Sequence, residues 1–239
     1  MLKKVISVLC AFAFFFLIIA AMYTVVRGVG LNTGFYNKEY AELNTAADLG
    51  MSHEDLMNAT ETLIDYIKGD RDNMDVTATI NGVQREVFND REKAHMVDVV
   101  ALFNGWNTYK IICLIACPFI FAAGFFSVSE NRTRYFAKRY IAGAAMFFVI
   151  LIAAGIWAAI DFNSLWTHFH LLFFHNDLWL LDPNTSVMIN MFPEKFFNDM
   201  VTRIIVLTAA AVLIPLAASI VCLARKKKEN NTNELEVRS

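Results

Sequence analysis

The sequence predicts a mainly α-helical, polytopic membrane protein with four transmembrane helices and a small extracytoplasmic cap containing helices and one β-hairpin. Three observations carry that reading. Of 239 residues, 56% are hydrophobic, and the mean hydropathy of +0.42 is well above that of an ordinary soluble domain. Four apolar runs, 5–26, 111–128, 140–160 and 204–223, each hold no Asp or Glu and no internal Lys or Arg. Each is close to the roughly 20 residues that a helix needs to cross a bilayer. Finally, Lys and Arg gather at alternate ends of these runs, as topology requires.

Lys3 and Lys4 precede the first run, 5–26. The pair followed by an apolar stretch looks like a signal peptide, but the run is long and no small-residue cleavage site follows, so a retained helix is expected. Residues 27–110 then form the cap. SHEDLMNATETLIDYIKG carries Ser52 as a helix N-cap and Gly69 as a stop, with Leu56, Thr60, Leu63 and Ile67 at helical spacing. In MDVTATINGVQREVF, Asn81-Gly82 separates two strand-like runs, the strongest short hairpin signal. REKAHMVDVVALF reads as a helix leading into the second span, 111–128. Pro118 there and Pro215 in the fourth span are tolerated in membrane helices.

The loop 129–139 is short and holds Arg132, Arg134, Lys138 and Arg139; the third span is 140–160. The second outer segment, 161–203, carries nine aromatics, too many for a solvated loop. It is expected to lie at the membrane surface or to pack beneath the first cap. Asp182-Pro183 marks a turn, and Pro193 suits the first turn of the helix entering span 204–223. The tail 224–239 opens with Arg225, Lys226, Lys227 and Lys228 and closes with ENNTNELEVRS, expected to be disordered. The basic clusters put both termini and loop 129–139 in the cytoplasm and the two other segments outside.

Charge and side-chain inventory narrow the chemistry. Residues 27–107 hold fourteen acidic against seven basic side chains, which argues against a nucleic-acid partner. Spans free of acidic residues argue against an ion-coupled transporter. Cys10, Cys113, Cys117 and Cys222 all fall within spans, so the outer face offers no thiol nucleophile. The outer serines Ser52, Ser164 and Ser186 sit in no nucleophile motif.

Histidine remains. All five, His53, His95, His168, His170 and His175, lie in outer segments. HFHLLFFH lacks the H-E-x-x-H spacing of a zinc site, and helical geometry separates His170 from the face shared by His168 and His175. No metal is expected. His95 precedes Asp98 by one turn, so it reads either as a histidine paired to a surface acid or as an acid–base group held by that carboxylate. His170 reads either as an interfacial residue or as a buried catalytic one, and His53 as solvent-facing. The four tryptophans suit an interfacial belt. Arg203 and Lys110, at the entrances of spans, suit snorkelling to headgroups or contact with a lipid or peptide. The remaining classes are a histidine-dependent enzyme, a metal-dependent hydrolase, or a non-catalytic sensor or assembly factor using its acidic cap.

AHMVDV at 94–99 and FHLLFFHNDLWLLDP at 169–183, continued by MINMFPEKFF at 188–197, resemble the bacterial lipoprotein intramolecular transacylases, as does the arrangement of four spans and two outer segments. That resemblance implies an integral enzyme of the bacterial cell membrane. Its substrate would be a diacylglyceryl lipoprotein, and the reaction would move the sn-2 acyl chain to the N-terminal cysteine amine, giving the lyso form. It places two implicated histidines on His95 and His170 and calls for no cofactor; Asp98, one helical turn from His95, is the supporting residue that spacing offers. Trp166, Phe169, Phe173, Phe174 and Trp179 are then placed to line an acyl pocket beside membrane lipid.

Overall fold

The computed structural model describes the backbone over residues 1–236 and side chains over residues 1–225. The tail 229–239 was expected to be disordered; its backbone instead continues as helix to Glu236, and 237–239 lie outside the described residues. In chain order the elements are α1 Leu2–Gly30, α2 Thr33–Leu43, α3 Thr45–Asp48, α4 His53–Lys68, β1 Thr77–Ile80, β2 Val83–Glu86, α5 Asp90–Ser127, α6 Arg132–Ile160, α7 Phe162–Phe173, α8 Val187–Met191 and α9 Glu194–Glu236. Four of them, α1, α5, α6 and α9, are long and apolar enough to cross a membrane. Each apolar run of the sequence lies inside one of these helices, except Val128, one residue past α5. The chain forms two compact units: Met1–Val25 with Thr108–Asp161 and the chain from Ile205 on, and Val26–Asn107 with Phe162–Ile204.

The first unit is the helical bundle. Without water, its helices gain little from the hydrophobic effect, so close packing and polar contacts hold them together. Small residues permit that approach. A Cβ on Gly143 of α6 would lie 2.7 Å from the Ala11 carbonyl of α1, and one on Gly124 of α5 would lie 2.7 Å from Cys10 Sγ. Phe15, Ile18, Ala144, Phe147 and Val212 form one buried cluster, and Ala13, Ala20, Cys113 and Cys117 another. Tyr140 Oη donates to the Val212 carbonyl at 2.8 Å, one residue from the carbonyl that Pro215 leaves without its helical N–H. Large apolar residues such as Phe119, Phe126, Val149 and Ile214 stay exposed on the outward faces, which suits a lipid surroundings.

The second unit has one apolar core. As expected, Ser52 Oγ caps α4 by accepting from Asp55 N at 3.0 Å, and the helix stops at Gly69 with φ +85°. Asn81 and Gly82, with φ of 52° and 82°, make the I′-type turn that pairs Ile80 with Val83 in the β1–β2 hairpin. Helices α2 and α3 were not anticipated. Asn32 caps α2, accepting from Phe35 N, and Asn44 closes it with φ 54°; Phe35, Tyr36 and Tyr40 then face Leu56, Leu63 and Ile64 of α4.

The two outer segments share that core. Val187, Met188, Met191 and Phe196 are buried with residues of α2, α4, the hairpin and α5. Of the two places expected for segment 161–203, its second half takes the packed one. Its first half differs: in α7, Trp166, Phe169, Leu171 and Leu172 are exposed and only His170 is buried. The Asp182 carbonyl accepts from Thr185 N and Ser186 N, closing the turn expected there. Pro193 precedes α9 instead of entering its first turn, and its carbonyl accepts from Phe197 N at 3.2 Å.

Candidate functional site

Helix α5 begins with a reciprocal capping box. Asn89 Oδ1 accepts from Glu92 N at 3.0 Å, and Glu92 Oε2 accepts from Asn89 N at 2.6 Å. This fixes the first turn, and His95 follows one turn later. Its ring meets Phe174 edge-on at 5.3 Å, and its Nδ1 is buried without a hydrogen-bond partner among the described residues. Asp98 does not bond the ring. Its Oδ2 instead accepts from Asn176 Nδ2 at 2.8 Å. Burial and the charge of His170 push the His95 pKa below its usual value, and the negative charge of Asp98 opposes them only in part.

His170 is held more fully. Its Nδ1 lies 2.8 Å from the Trp166 carbonyl, which only accepts, so the proton of the neutral ring belongs on Nδ1 and Nε2 keeps its lone pair. Trp179 stacks on the ring at 4.6 Å and 25°, with Trp166 at 4.4 Å, Phe169 at 5.4 Å and Phe174 at 5.7 Å. Burial lowers the His170 pKa, and the Trp166 carbonyl opposes that shift. Phe174 therefore touches both imidazoles, and both rings are biased toward the neutral form. A neutral imidazole in a dry aromatic setting can take a proton and give one back near neutral pH.

The other candidates sort themselves around this pair. Phe169 packs on Trp166 at 6.3 Å and on Phe173 at 4.9 Å, and Phe173 reaches Trp106 at 6.4 Å. The Arg203 guanidinium lies over the Phe35 ring at 5.5 Å. His168 is exposed, with Nδ1 on the Ser164 carbonyl at 2.8 Å. His175 does not share the helical face that a continuous helix would give it with His168, because α7 ends at Phe173. His53 is exposed, as expected, and meets Asn37 Oδ1 at 2.7 Å. No group of metal-ligating residues occurs among the described residues.

Three residues went unnoticed in the sequence. Glu92 is fully buried, and besides the capping box its Oε1 accepts from Ser186 Oγ at 2.5 Å and Met188 N at 2.7 Å. Arg91 donates to the carbonyls of Asp177 and Leu180 and pairs with the Asp177 carboxylate. Asn176 links Asp98 to Trp179, whose indole N–H donates to the Asn176 carbonyl at 3.0 Å. Together they attach the loop after α7 to α5, and so hold His170 in register with His95. Asn89-x-x-Glu92 was readable as a capping signature; the partners of Glu92, more than ninety residues away, were not.

Four helices long and apolar enough to cross a membrane define the class as an integral membrane protein, and its second unit gathers two histidines of lowered pKa in one aromatic cluster. Comparison with known proteins makes this particular. The family model of lipoprotein intramolecular transacylase Lit matches residues 11–197, and the chain belongs to that family of membrane acyltransferases. The reading as a sensor or assembly factor is set aside accordingly. The membrane-integral lipoprotein intramolecular transacylase Lit of Bacillus cereus has the same fold: TM-score 0.65 and 19% identity, covering 98% of each chain. A variant of that protein with a histidine-to-alanine mutation gives a TM-score of 0.68 at 18% identity, over 95% of this chain and 96% of the other. No curated protein matches the chain.

Proposed function

We propose that the chain moves the acyl group from the sn-2 glyceryl oxygen of a diacylglyceryl lipoprotein to the α-amine of its N-terminal cysteine, with His95 and His170 as the acid–base pair. The single observation that carries this is the cluster around Phe174, which touches both imidazoles while burial keeps them neutral. Solved Bacillus cereus relatives bearing a histidine-to-alanine or histidine-to-arginine mutation add support for histidine chemistry.

The cysteine ammonium has a reference pKa near 8, so a base must remove its proton before attack. His170 Nε2, with its lone pair free, takes that proton. The amine nitrogen bonds to the ester carbonyl carbon, giving a tetrahedral oxyanion. His95, with its proton on Nε2, donates to that oxyanion. The C–O bond to glycerol then breaks as His170 passes its proton to the departing alkoxide, and the excess proton left on the new amide nitrogen goes to the freed His170 Nε2 and from there to solvent, which restores the neutral ring. No covalent enzyme intermediate and no cofactor is needed. Nucleophile and ester belong to one molecule, so confinement in an aromatic wall of Trp166, Phe169, Phe173, Phe174 and Trp179 supplies orientation.

The topology proposed with it has spans at 5–26, 111–128, 140–160 and 204–223 in a bacterial cytoplasmic membrane. Both termini and loop 129–139 face the cytoplasm, and 27–110 and 161–203 face outward. Asp98 supports the pair, and Arg203 is available to a lipid or peptide group. The test is expression with a diacylglyceryl lipoprotein in a host lacking N-acylation. Intact mass stays constant because the transfer is an isomerisation. Fragment spectra then show the acyl group on the cysteine nitrogen, and amine labelling is lost. Full conversion by both His95→Ala and His170→Ala would exclude the two-histidine mechanism.

A further inference from the structure

A cleft of about 360 Å³ in the second unit takes no part in the chemistry above. Its lining includes Asp48, Asn81, Arg85, Asn184, Ser186 and Asn190. Arg85 is exposed on strand β2, where its backbone pairs with Ala78, and its side chain has no hydrogen-bond or ion-pair partner among the described residues. We propose that this cleft binds the polypeptide immediately following the lipid-bearing cysteine, as an extended chain recognised mainly through its backbone. The assignment rests on the transacylase reading and names the part of the substrate that its reacting atoms leave unplaced.

Two features select a peptide. The first is chemistry. Asparagine side chains present one carbonyl and one amide, the same groups as a peptide bond, and Arg85 adds donors for carbonyl oxygens. Asn190 Nδ2 already donates to the Pro183 and Ser186 carbonyls, which holds its side-chain oxygen in place as an acceptor. One arginine and one aspartate, Arg85 and Asp48, among the lining residues leave the cleft without net positive charge, a poor setting for a headgroup phosphate.

The second is position. Ser186, on the cleft wall, donates to Glu92, and Glu92 lies three residues before His95 on one continuous helix. Three residues of helix advance about 4.5 Å, and an extended chain advances about 3.3 Å per residue. A peptide whose cysteine amine sits at the imidazoles therefore reaches the cleft within its first few residues. Along α5, Glu92 is also farther than His95 from the apolar run 111–128. Backbone recognition fits a substrate class whose members share a lipidated cysteine and little else.

The test compares a diacylglyceryl-cysteine peptide carrying a long tail with the same lipid on cysteine amide alone, using the full-length protein in lipid nanodiscs. The long-tailed substrate is expected to show kcat/KM on the order of tenfold higher, equivalent to about 1.4 kcal/mol. In Arg85→Glu and in the cleft-filling Asn184→Trp, that ratio should fall toward one through a higher KM for the long-tailed substrate. Equal kcat/KM values for the two substrates in the unmodified protein would overturn the cleft assignment and leave the transacylase reading standing. Conversion of neither would overturn both. If phosphatidylglycerol inhibits the unmodified protein but not Arg85→Glu, and the tail confers no advantage, the cleft is a headgroup site and the proposal is wrong.

Discussion

His95 and His170 sit in one aromatic cluster, but the chain holds them by different means. His95 belongs to a helix of 38 residues whose first turn is closed by a capping box and tied down through Glu92. Its own ring meets Phe174 edge-on, and its buried Nδ1 has no hydrogen-bond partner among the described residues. His170 belongs to a helix of 12 residues that buries nothing else, and its ring is fixed individually by the Trp166 carbonyl and by stacking with Trp179. A long backbone supplies the position of one imidazole, and local contacts supply the orientation and tautomer of the other. This division suits a ring that must present one nitrogen as a base and a partner that must donate a proton.

The largest effect expected is from removing either ring. His170→Ala and His95→Ala should each lower kcat by at least about a hundredfold, the usual range for loss of a general acid or base, read by fragment spectra of a timed reaction. A much smaller loss in one of them would show that the two histidines are not equal partners.

Acidification comes next. Burial depresses both histidine pKa values, so each ring is neutral at pH 7. With saturating substrate, the acid limb of kcat should have its midpoint below the reference value of about 6.5. Stability follows the same sign. A folded pKa below the unfolded one means that the unfolded chain binds more protons, so stability falls as pH drops from about 6.5 through the folded values. Thermal unfolding in detergent should show a lower Tm on that side, and less so in His170→Ala.

Smaller effects probe the supports. Glu92→Gln offers one oxygen where the carboxylate serves Asn89, Ser186 and Met188. Destabilisation of about 1–3 kcal/mol is expected, seen as a lower Tm with a lower kcat. Trp179→Leu, which removes the stacking ring, should reduce kcat several-fold, on the order of one lost aromatic contact. Asp98→Asn is the mildest. Because that carboxylate holds Asn176 and not His95, a loss of only about two- to fivefold is expected. A loss as large as that of His95→Ala would place Asp98 at the chemistry.

What the sequence revealed followed the range of each interaction. Local signals were legible: Ser52 and Gly69 bounded α4, Asn81-Gly82 set the hairpin, and four uncharged apolar runs marked the long helices. Helix α2 was missed because its mean pattern is weak, although Asn32 and Asn44 stood at its ends. His175 would share a face with His168 only on a continuous helix, and nothing in LLFFHND announces that α7 stops at Phe173. Spacing alone singled out neither His95 nor His170; the family resemblance did that. Long-range pairs were invisible: Glu92 with Ser186, Arg91 with Asp177, Asp98 with Asn176. Asp98 looked like the partner of His95 because one helical turn separates them, but an asparagine 78 residues away takes its carboxylate.

The central claim is that two unlike histidines form one acid–base unit for acyl transfer from oxygen to nitrogen. A double-mutant cycle tests it most directly, with kcat measured for the unmodified protein, His95→Ala, His170→Ala and the double variant on one lipopeptide. Residues acting as a unit show strongly non-additive losses. Each single variant should lose nearly all the rate, and the double variant should be little worse than either. Independent, multiplying losses, or full activity in either single variant, would contradict it.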